Sequence, residues 1–249
     1  MNTVLKARNL YKEFNNSAVK STVLNGIDFE LQRGEFVAVM GPSGAGKSTF
    51  LHIISGMDKP SCGDVYIDGK NIAGLTDKQL SAMRLEKTGF VFQKTALLDS
   101  LCLFDNIVLP ASILKKETRG AINKRAKMLM EKTGIHHLAL KPVDCLSGGE
   151  LQRGCICRSL INNPSVLFVD EPTGALNSRA AEKVMEIITA VHKSGTGILL
   201  VTHDAGIAAY ADKVVCLADG SLTGMLKLEG ELSFAERKKT VSQWALSLF

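Results

Sequence analysis

The stretch "GPSGAGKST", residues 41–49, constrains this chain more than any other. It follows "EFVAVM", a short and nearly all-apolar run of the kind that forms a strand buried on both faces. It leads into "KSTFLHIISGM", whose spacing predicts a helix. A strand, a glycine-rich turn and a helix in that order match the pattern G-x-x-x-x-G-K-[ST]. Glycines let the backbone curl so that successive N–H groups point at phosphate oxygens, and the helix N-terminus adds a favourable dipole. A strand buried on both faces needs helices above and below it, so the chain is predicted to be α/β with a mainly parallel core sheet.

The rest of the chain fits around that unit. "SVLFVDEP" (165–172) and "GILLVTHD" (197–204) are further short buried strands, separated by the helix "SRAAEKVMEIITAVHKSG". Residues 3–14 and 18–34 alternate apolar and polar side chains and are predicted to be antiparallel strands. "GDVYIDGKNI" adds a strand pair across a "DG" turn, and "KVVCLADGSLTGMLKLEG" a hairpin across another. "TDKQLSAMRLEKTGFVFQ" is predicted as a helix ending near Gly89, then a strand. From about residue 94 to 159 the apolar spacing is helical, with no clear strand, so a helical subdomain is inserted there. Ser233 and Glu236 have capping-box spacing, which predicts a C-terminal helix. One nucleotide-binding unit over 1–226 and a helical tail over 227–249 follow.

Composition narrows the partners. A formal charge of +5 is a mild bias, compatible with an anionic ligand or membrane surface and too weak to argue for nucleic acid. Aromatics are 6%, too few for base-stacking platforms. The six cysteines, Cys62, Cys102, Cys145, Cys155, Cys157 and Cys216, form no CxxC pair and are expected to be reduced packing residues. The N-terminal "MNTVLKARNLYKEF" lacks a signal-peptide core, and no apolar run approaches the roughly 18 residues of a membrane span. A cytosolic chain is expected. If it serves a membrane process, another chain must do the crossing.

Several residues carry chemistry. Gly41, Pro42, Ser43, Gly44, Ala45, Gly46, Lys47, Ser48 and Thr49 form the phosphate loop, in which Lys47 reaches the β- and γ-phosphates and Ser48 ligates Mg²⁺. Asp170 and Glu171 end a buried strand, where a carboxylate faces the ligand crevice. Asp170 suits the Mg²⁺ shell, directly or through water, and Glu171 can deprotonate the attacking water. The bland alternative is a surface acidic pair. His203 ends another strand of the same sheet; a lone histidine is usually structural, but here a γ-phosphate contact is the better reading. Gln93, a weak signal alone, has the same placement and could serve the metal or the water. In "LSGGE", Ser147, Gly148 and Gly149 offer donors at a helix start without a lysine. They could hold a second ATP, close on an ATP held by another copy, or form a plain N-cap.

In order and spacing these motifs resemble those of the ATP-binding subunits of ABC transporters, over about residues 3–226. "GPSGAGKST" resembles the Walker A motif, "LSGGE" the signature and "VLFVDEP" Walker B. Gln93 falls at the Q-loop, Asn177 in "GALNS" at the D-loop and His203 at the switch histidine. The resemblance implies a P-loop NTPase fold and ATP and Mg²⁺ as ligands, with Phe14 stacking on adenine. It implies a second copy of the chain as partner, with a pair of subunits sandwiching ATP head to tail so that Ser147, Gly148, Gly149 and Glu150 close on the other subunit's nucleotide. It also implies an integral membrane permease, docked by the region after the Q-loop, and hence a peripheral position on the inner face of the cell membrane. Leu97, Leu98, Leu101, Leu103 and Phe104 are either that dock or core. "GFVFQKTALLDSLCLFDNIVLP" and "EPTGALNS" are similar to the macrolide-exporter and lipoprotein-release branch, nearest its bacitracin- and lantibiotic-resistance ATPases. That branch implies antimicrobial-peptide resistance or export, with a link to a sensor kinase through the permease.

Three positions depart from the family pattern. Glu150 stands where glutamine is usual, and its carboxylate would be repelled by phosphates unless it faces away. Asn177 stands where aspartate is commoner, and Gly154 lies within a helix, at a cost of about 1 kcal/mol against alanine. The leading expectation is an ATPase that drives a permease. The alternative is a non-transport ABC ATPase acting on an envelope or cluster-assembly scaffold. A chromosome-maintenance ATPase would need a long coiled coil, and a translation-factor ATPase a second head.

Overall fold

The computed structural model describes residues 2–16, 19–230 and 232–248. Ala18 and Phe249, read above as ends of a strand and a helix, lie outside them. In chain order the elements are β1 (Thr3–Asn16), β2 (Val19–Gln32), β3 (Phe36–Met40), α1 (Lys47–Ile54), β4 (Cys62–Ile67), β5 (Lys70–Asn71), α2 (Asp77–Lys87) and β6 (Thr88–Val91). Then come α3 (Leu103–Leu114), α4 (Arg119–Lys132), α5 (Gly148–Leu160), β7 (Val166–Asp170), α6 (Ser178–Lys193), β8 (Gly197–Val201), α7 (Ala205–Ala208), β9 (Lys213–Ala218), β10 (Ser221–Lys227) and α8 (Phe234–Leu246).

A six-stranded sheet in the order β10-β9-β3-β8-β7-β6 forms the centre. Its pairs are parallel except β9 with β10. A second, four-stranded antiparallel sheet has the order β2-β1-β4-β5. β3 and β8 are buried at every residue, as their apolar runs require. Strand alternation divides the core. Val37, Val39, Leu199 and Val201 face α1 and the antiparallel sheet, packing with Phe50 and Leu51. Phe36, Ala38, Ile198 and Leu200 face the other way, onto Val184 and Ile188 of α6 and Val241 of α8.

A third cluster lies in the helical region, where Leu103 and Ile107 of α3 meet Ile122 and Met130 of α4. α5 belongs to both bodies: Ile156 packs on the sheet side and Cys155 and Cys157 pack with α3 and α4. A helix enclosed in this way buries residues two apart that one apolar stripe would not. Gly154 now has a reason. A Cβ there would lie 2.6 Å from Leu103 Cδ1, so the glycine leaves room for that side chain where α3 packs on α5.

One expectation needs correction. Cys62 and Cys145 are exposed and are not packing residues, whereas Cys155, Cys157 and Cys216 are buried. Cys102 is half-buried and its Sγ accepts from the Asp105 N–H at 3.4 Å, capping α3. The apolar group after Gln93 is also divided. Leu97 and Leu103 are core, Leu98 is 47% exposed, and Leu101 and Phe104 are half-buried.

Candidate active site

β3, β6, β7 and β8 deliver the site residues from their carboxyl ends. Beyond Met40 the chain turns through the loop into α1. Two glycines are sterically required there. A Cβ on Gly41 would lie 2.0 Å from the Leu217 carbonyl oxygen. Gly46 has φ 94°, and a Cβ would lie 2.9 Å from the Val23 carbonyl oxygen. No side chain caps α1. Its start is therefore a seat for an anion held by the helix's own N–H groups. Lys47 Nζ donates to the carbonyls of Gly41 and Pro42, each at 2.8 Å, which holds its charge over the loop. Burial lowers the Lys47 pKa, opposed by the nearby charges of Glu171 and Asp170.

Asp170 ends β7, and it borders the cleft together with Ser48. Burial raises the Asp170 pKa and the Glu171 charge adds to the rise, while His52, Lys47 and Ser48 oppose it. Glu171 is held from four directions. Its N–H donates to the Val201 carbonyl at 3.0 Å. Thr202 Oγ1 donates to Oε2 at 3.1 Å, the His203 N–H donates to Oε1 at 2.9 Å, and His203 Nδ1 lies 2.7 Å from the same oxygen. Glu171 also has φ 43°, left-handed backbone that a glutamate rarely adopts and that costs about 1–3 kcal/mol. The contacts to β8 and its following loop over-determine that conformation and fix the carboxylate beside Asp170.

These groups line a cleft of about 420 Å³. Ser43, Gly44, Gly46, Lys47, Ser48, Thr49, Gln93, Asp170, Glu171 and His203 all border it. Gln93 faces Gly174, where a Cβ would lie 3.1 Å from its Nε2. Phe14 is apart from this lining. It lies on the β1–β2 hairpin, pairing with Ser21, with Lys12 Nζ 5.0 Å from its ring centroid. Val23 of the same hairpin does border the cleft. Thr202 and Val23 were not singled out by sequence. Thr202 sits between the buried strand and His203, and that position was its only signal.

The residues of "LSGGE" lie elsewhere. Ser147 caps α5, and Glu150 closes a capping box. Glu150 Oε2 accepts from the Ser147 N–H at 2.8 Å and from its hydroxyl at 2.6 Å. These hydrogen bonds lower the Glu150 pKa. The carboxylate is thus turned back onto Ser147. Ser147, Gly148 and Gly149 border a second cleft of about 470 Å³, with Arg153, Asn177, Arg179 and Lys183. Asn177 Oδ1 accepts from the Ala180 N–H at 2.9 Å, capping α6. Asparagine and aspartate cap helices about equally well, so Asn177 preserves this turn. Among the described residues, none that borders this cleft borders the first.

Among the described residues no group of three or more His, Cys, Asp or Glu side chains could hold a metal alone. The Ser48 hydroxyl and the Asp170 carboxylate, with the Gln93 amide across the cleft, do fit Mg²⁺. That ion takes few protein oxygens and completes its shell with phosphates and water. No helix among the described residues is long and apolar enough to cross a membrane.

Comparison with known proteins places this geometry. A family model described as ABC transporter matches residues 24–174. The bacitracin export ATP-binding protein BceA of Halalkalibacterium halodurans is 38% identical over 88% of this chain and 87% of its own length. The macrolide export ATP-binding/permease protein MacB of Campylobacter fetus is 40% identical over 88% of this chain, which spans only 34% of that relative. The dimeric post-hydrolysis structure of the ATP-binding cassette MJ0796, bound to ADP and Pi, matches with TM-score 0.84 and 35% identity, covering 91% of this chain and 99% of that one. The chain belongs to the ABC transporter family, as an ATP-binding subunit with the α/β fold of the ABC ATPases.

Proposed function

We propose that the chain hydrolyses ATP as a pair of identical subunits and thereby drives a membrane permease. The observation that carries the reading is Glu171, fixed by Thr202 and His203 beside Asp170 and opposite Lys47. Phosphates sit on the loop, with Lys47 countering their charge. A water attacks the γ-phosphorus in line, the bond to the bridging β-phosphate oxygen breaks, and ADP leaves. Glu171 accepts the proton that the water loses. His203, hydrogen-bonded to Glu171, contacts the γ-phosphate and keeps the carboxylate aimed. Ser48, Asp170 and Gln93 hold Mg²⁺, which supplies charge neutralisation when bound. Phe14 approaches the adenine from the hairpin.

The basic second cleft receives the ATP of the other copy. Its donors without metal ligands suit an incomplete site, and the dimeric structure of MJ0796 supports the arrangement. For the permease we propose the groove between α2, β6, α3 and α5, of about 290 Å³, bordered by Arg84, Phe90, Phe92, Pro110 and Arg158. Leu98, exposed in the segment after Gln93, is a second candidate for that contact. Docking there makes the subunit peripheral on the inner membrane face. The likeness to BceA, named for bacitracin export, supports a role in resistance to, or export of, antimicrobial peptides. The resemblance carried by residues 89–110 and 171–178 extends the proposal to lantibiotic-type peptides and to a sensor kinase reached through the permease.

The test is Glu171→Gln. Turnover is expected to fall by about 10²–10⁴, the size of a general-base effect, with ATP binding retained. ATP and Mg²⁺ should then trap a dimer on size-exclusion chromatography. A variant that turns over at the wild-type rate removes Glu171 as the base.

A further inference from the structure

α8 packs through Val241 on the core cluster that also takes in Val184 of α6 and Ala208 of α7. We infer that this C-terminal helix is a positioning element for the ATP site, and that Arg237 is the residue through which it holds the His203 loop. The inference rests on the reading of His203 given above.

The loop after His203 cannot hold its own shape. α7 is four residues long, far below the roughly 12 needed for a marginally stable isolated helix. Its two ends are therefore fixed from outside the helix. At the start, Asp204, the residue after His203, accepts from the Gly206 N–H at 2.6 Å and the Ile207 N–H at 3.4 Å. At the far end the Ala205, Ile207 and Ala208 carbonyls accept from the Ala209, Tyr210 and Ala211 N–H groups, and the chain just past the helix is held by Arg237. Its Nε donates to the Ala209 carbonyl at 2.8 Å and its Nη2 to the Ala211 carbonyl, while Nη1 reaches the Leu228 carbonyl at 3.4 Å. One planar guanidinium thus joins the end of α7 to the connection between β10 and α8, a fork that a lysine cannot reproduce.

α8 has other anchors, so Arg237 is not what attaches it. Val241 is fully buried in the core cluster beneath α6, and Trp244 packs against the same cluster. Ser233 and Glu236 close a capping box at the start of α8. Phe234 meets Tyr210 with ring centroids 4.6 Å apart. Near the start of α7, a Cβ on Gly206 would lie 3.3 Å from Lys238 Cε. α8 therefore touches both ends of the short helix. Because His203 Nδ1 sits 2.7 Å from the Glu171 carboxylate, a small shift of α7 moves the contact that aims the base.

The experiment uses the full chain with Arg237→Ala and Arg237→Lys. Hydrogen exchange is expected to accelerate for amides 205–211 in Arg237→Ala while α8 stays protected, because only the short segment loses its partner. Turnover at saturating ATP should fall by about five- to tenfold with KM within about twofold, less than the ~10²-fold of a 1 Å misplacement. Arg237→Lys should lie between. In a His203→Ala background the Arg237 substitution should cost nothing more, since both act on one contact. Equal acceleration of α8 exchange, unchanged exchange at 205–211, or a further loss of turnover on top of His203→Ala each overturns the inference. Wild-type turnover in His203→Ala alone would instead remove the reading of His203; the exchange result needs no turnover and still decides what Arg237 holds. If Arg237→Ala does not fold, Arg237→Lys carries the same comparisons.

Discussion

The loop cleft and the signature cleft both present donors to an anion, yet they are built in opposite ways. The first gathers Lys47, Asp170, Glu171 and His203 from the ends of adjacent strands, and their charges oppose one another at close range. The second is formed by the starts of α5 and α6, and its charged border is basic: Arg153, Arg179 and Lys183. In the first, Glu171 is tied to other segments and borders the cleft. In the second, Glu150 is tied to Ser147, three residues away, and does only local work. A base, a metal seat and a lysine are needed to break a phosphate bond, whereas helix starts and arginines are enough to grip one. On the function proposed above, neither cleft is a complete site.

Glu171→Gln gives the largest expected effect, about 10²–10⁴ in turnover, and acts on the first cleft alone. Thr202→Val is expected to follow. It removes the donor to Glu171 Oε2 and should lower turnover about tenfold, one charge-assisted hydrogen bond expressed in the transition state. Unchanged steady-state kinetics would show that the histidine loop alone aims the base. Glu150→Ala should barely alter nucleotide binding by a single subunit. Its expected cost is about 0.3–1.5 kcal/mol of stability from the lost half of the capping box, read by denaturant unfolding. A collapse of single-subunit ATP binding in that variant would contradict the division between the clefts.

Acidification separates the clefts more gently. Asp170 has a raised pKa, so its ionised form penalises the fold, and that penalty is relieved as pH falls through the folded value. On the proposed function the same protonation removes a ligand of Mg²⁺. Glu150 has a depressed pKa. Its contribution is present above the ordinary carboxylate value and is lost only as pH falls through the lower, folded one. Mg²⁺-dependent nucleotide binding should therefore weaken at a higher pH than the one at which the capping box melts. Calorimetric titration and amide exchange across the acid range check the order, and the reverse order would contradict it.

Much of the first cleft was legible in the sequence because its residues end short buried strands, and strand ends in a parallel sheet converge. Thr202 was not, since a threonine beside a histidine carries no pattern of its own. The clash that requires Gly41 depends on Leu217, far away in the chain. At the second cleft, Ser147 and its glycines read as a helix start, but the direction of Glu150 did not, because a capping box and a phosphate-facing carboxylate share one sequence. The residues after Gln93 fall before α3 begins, where no helical period tells Leu97 from Leu98. α7 is too short to have a period at all, and its support comes from α8, 26 to 28 residues later at Arg237.

That the two clefts are halves of one site is tested most directly with mixed dimers. Lys47→Ala damages the loop cleft and Ser147→Arg the signature cleft, and Glu171→Gln in both chains prevents turnover. In a mixed dimer both lesions fall in one shared site and leave the other intact. Mixed dimers isolated through two tags should retain one ATP each, while each homodimer retains none. Mixed dimers that retain no ATP would show that Ser147 serves its own chain's nucleotide and would contradict the shared site.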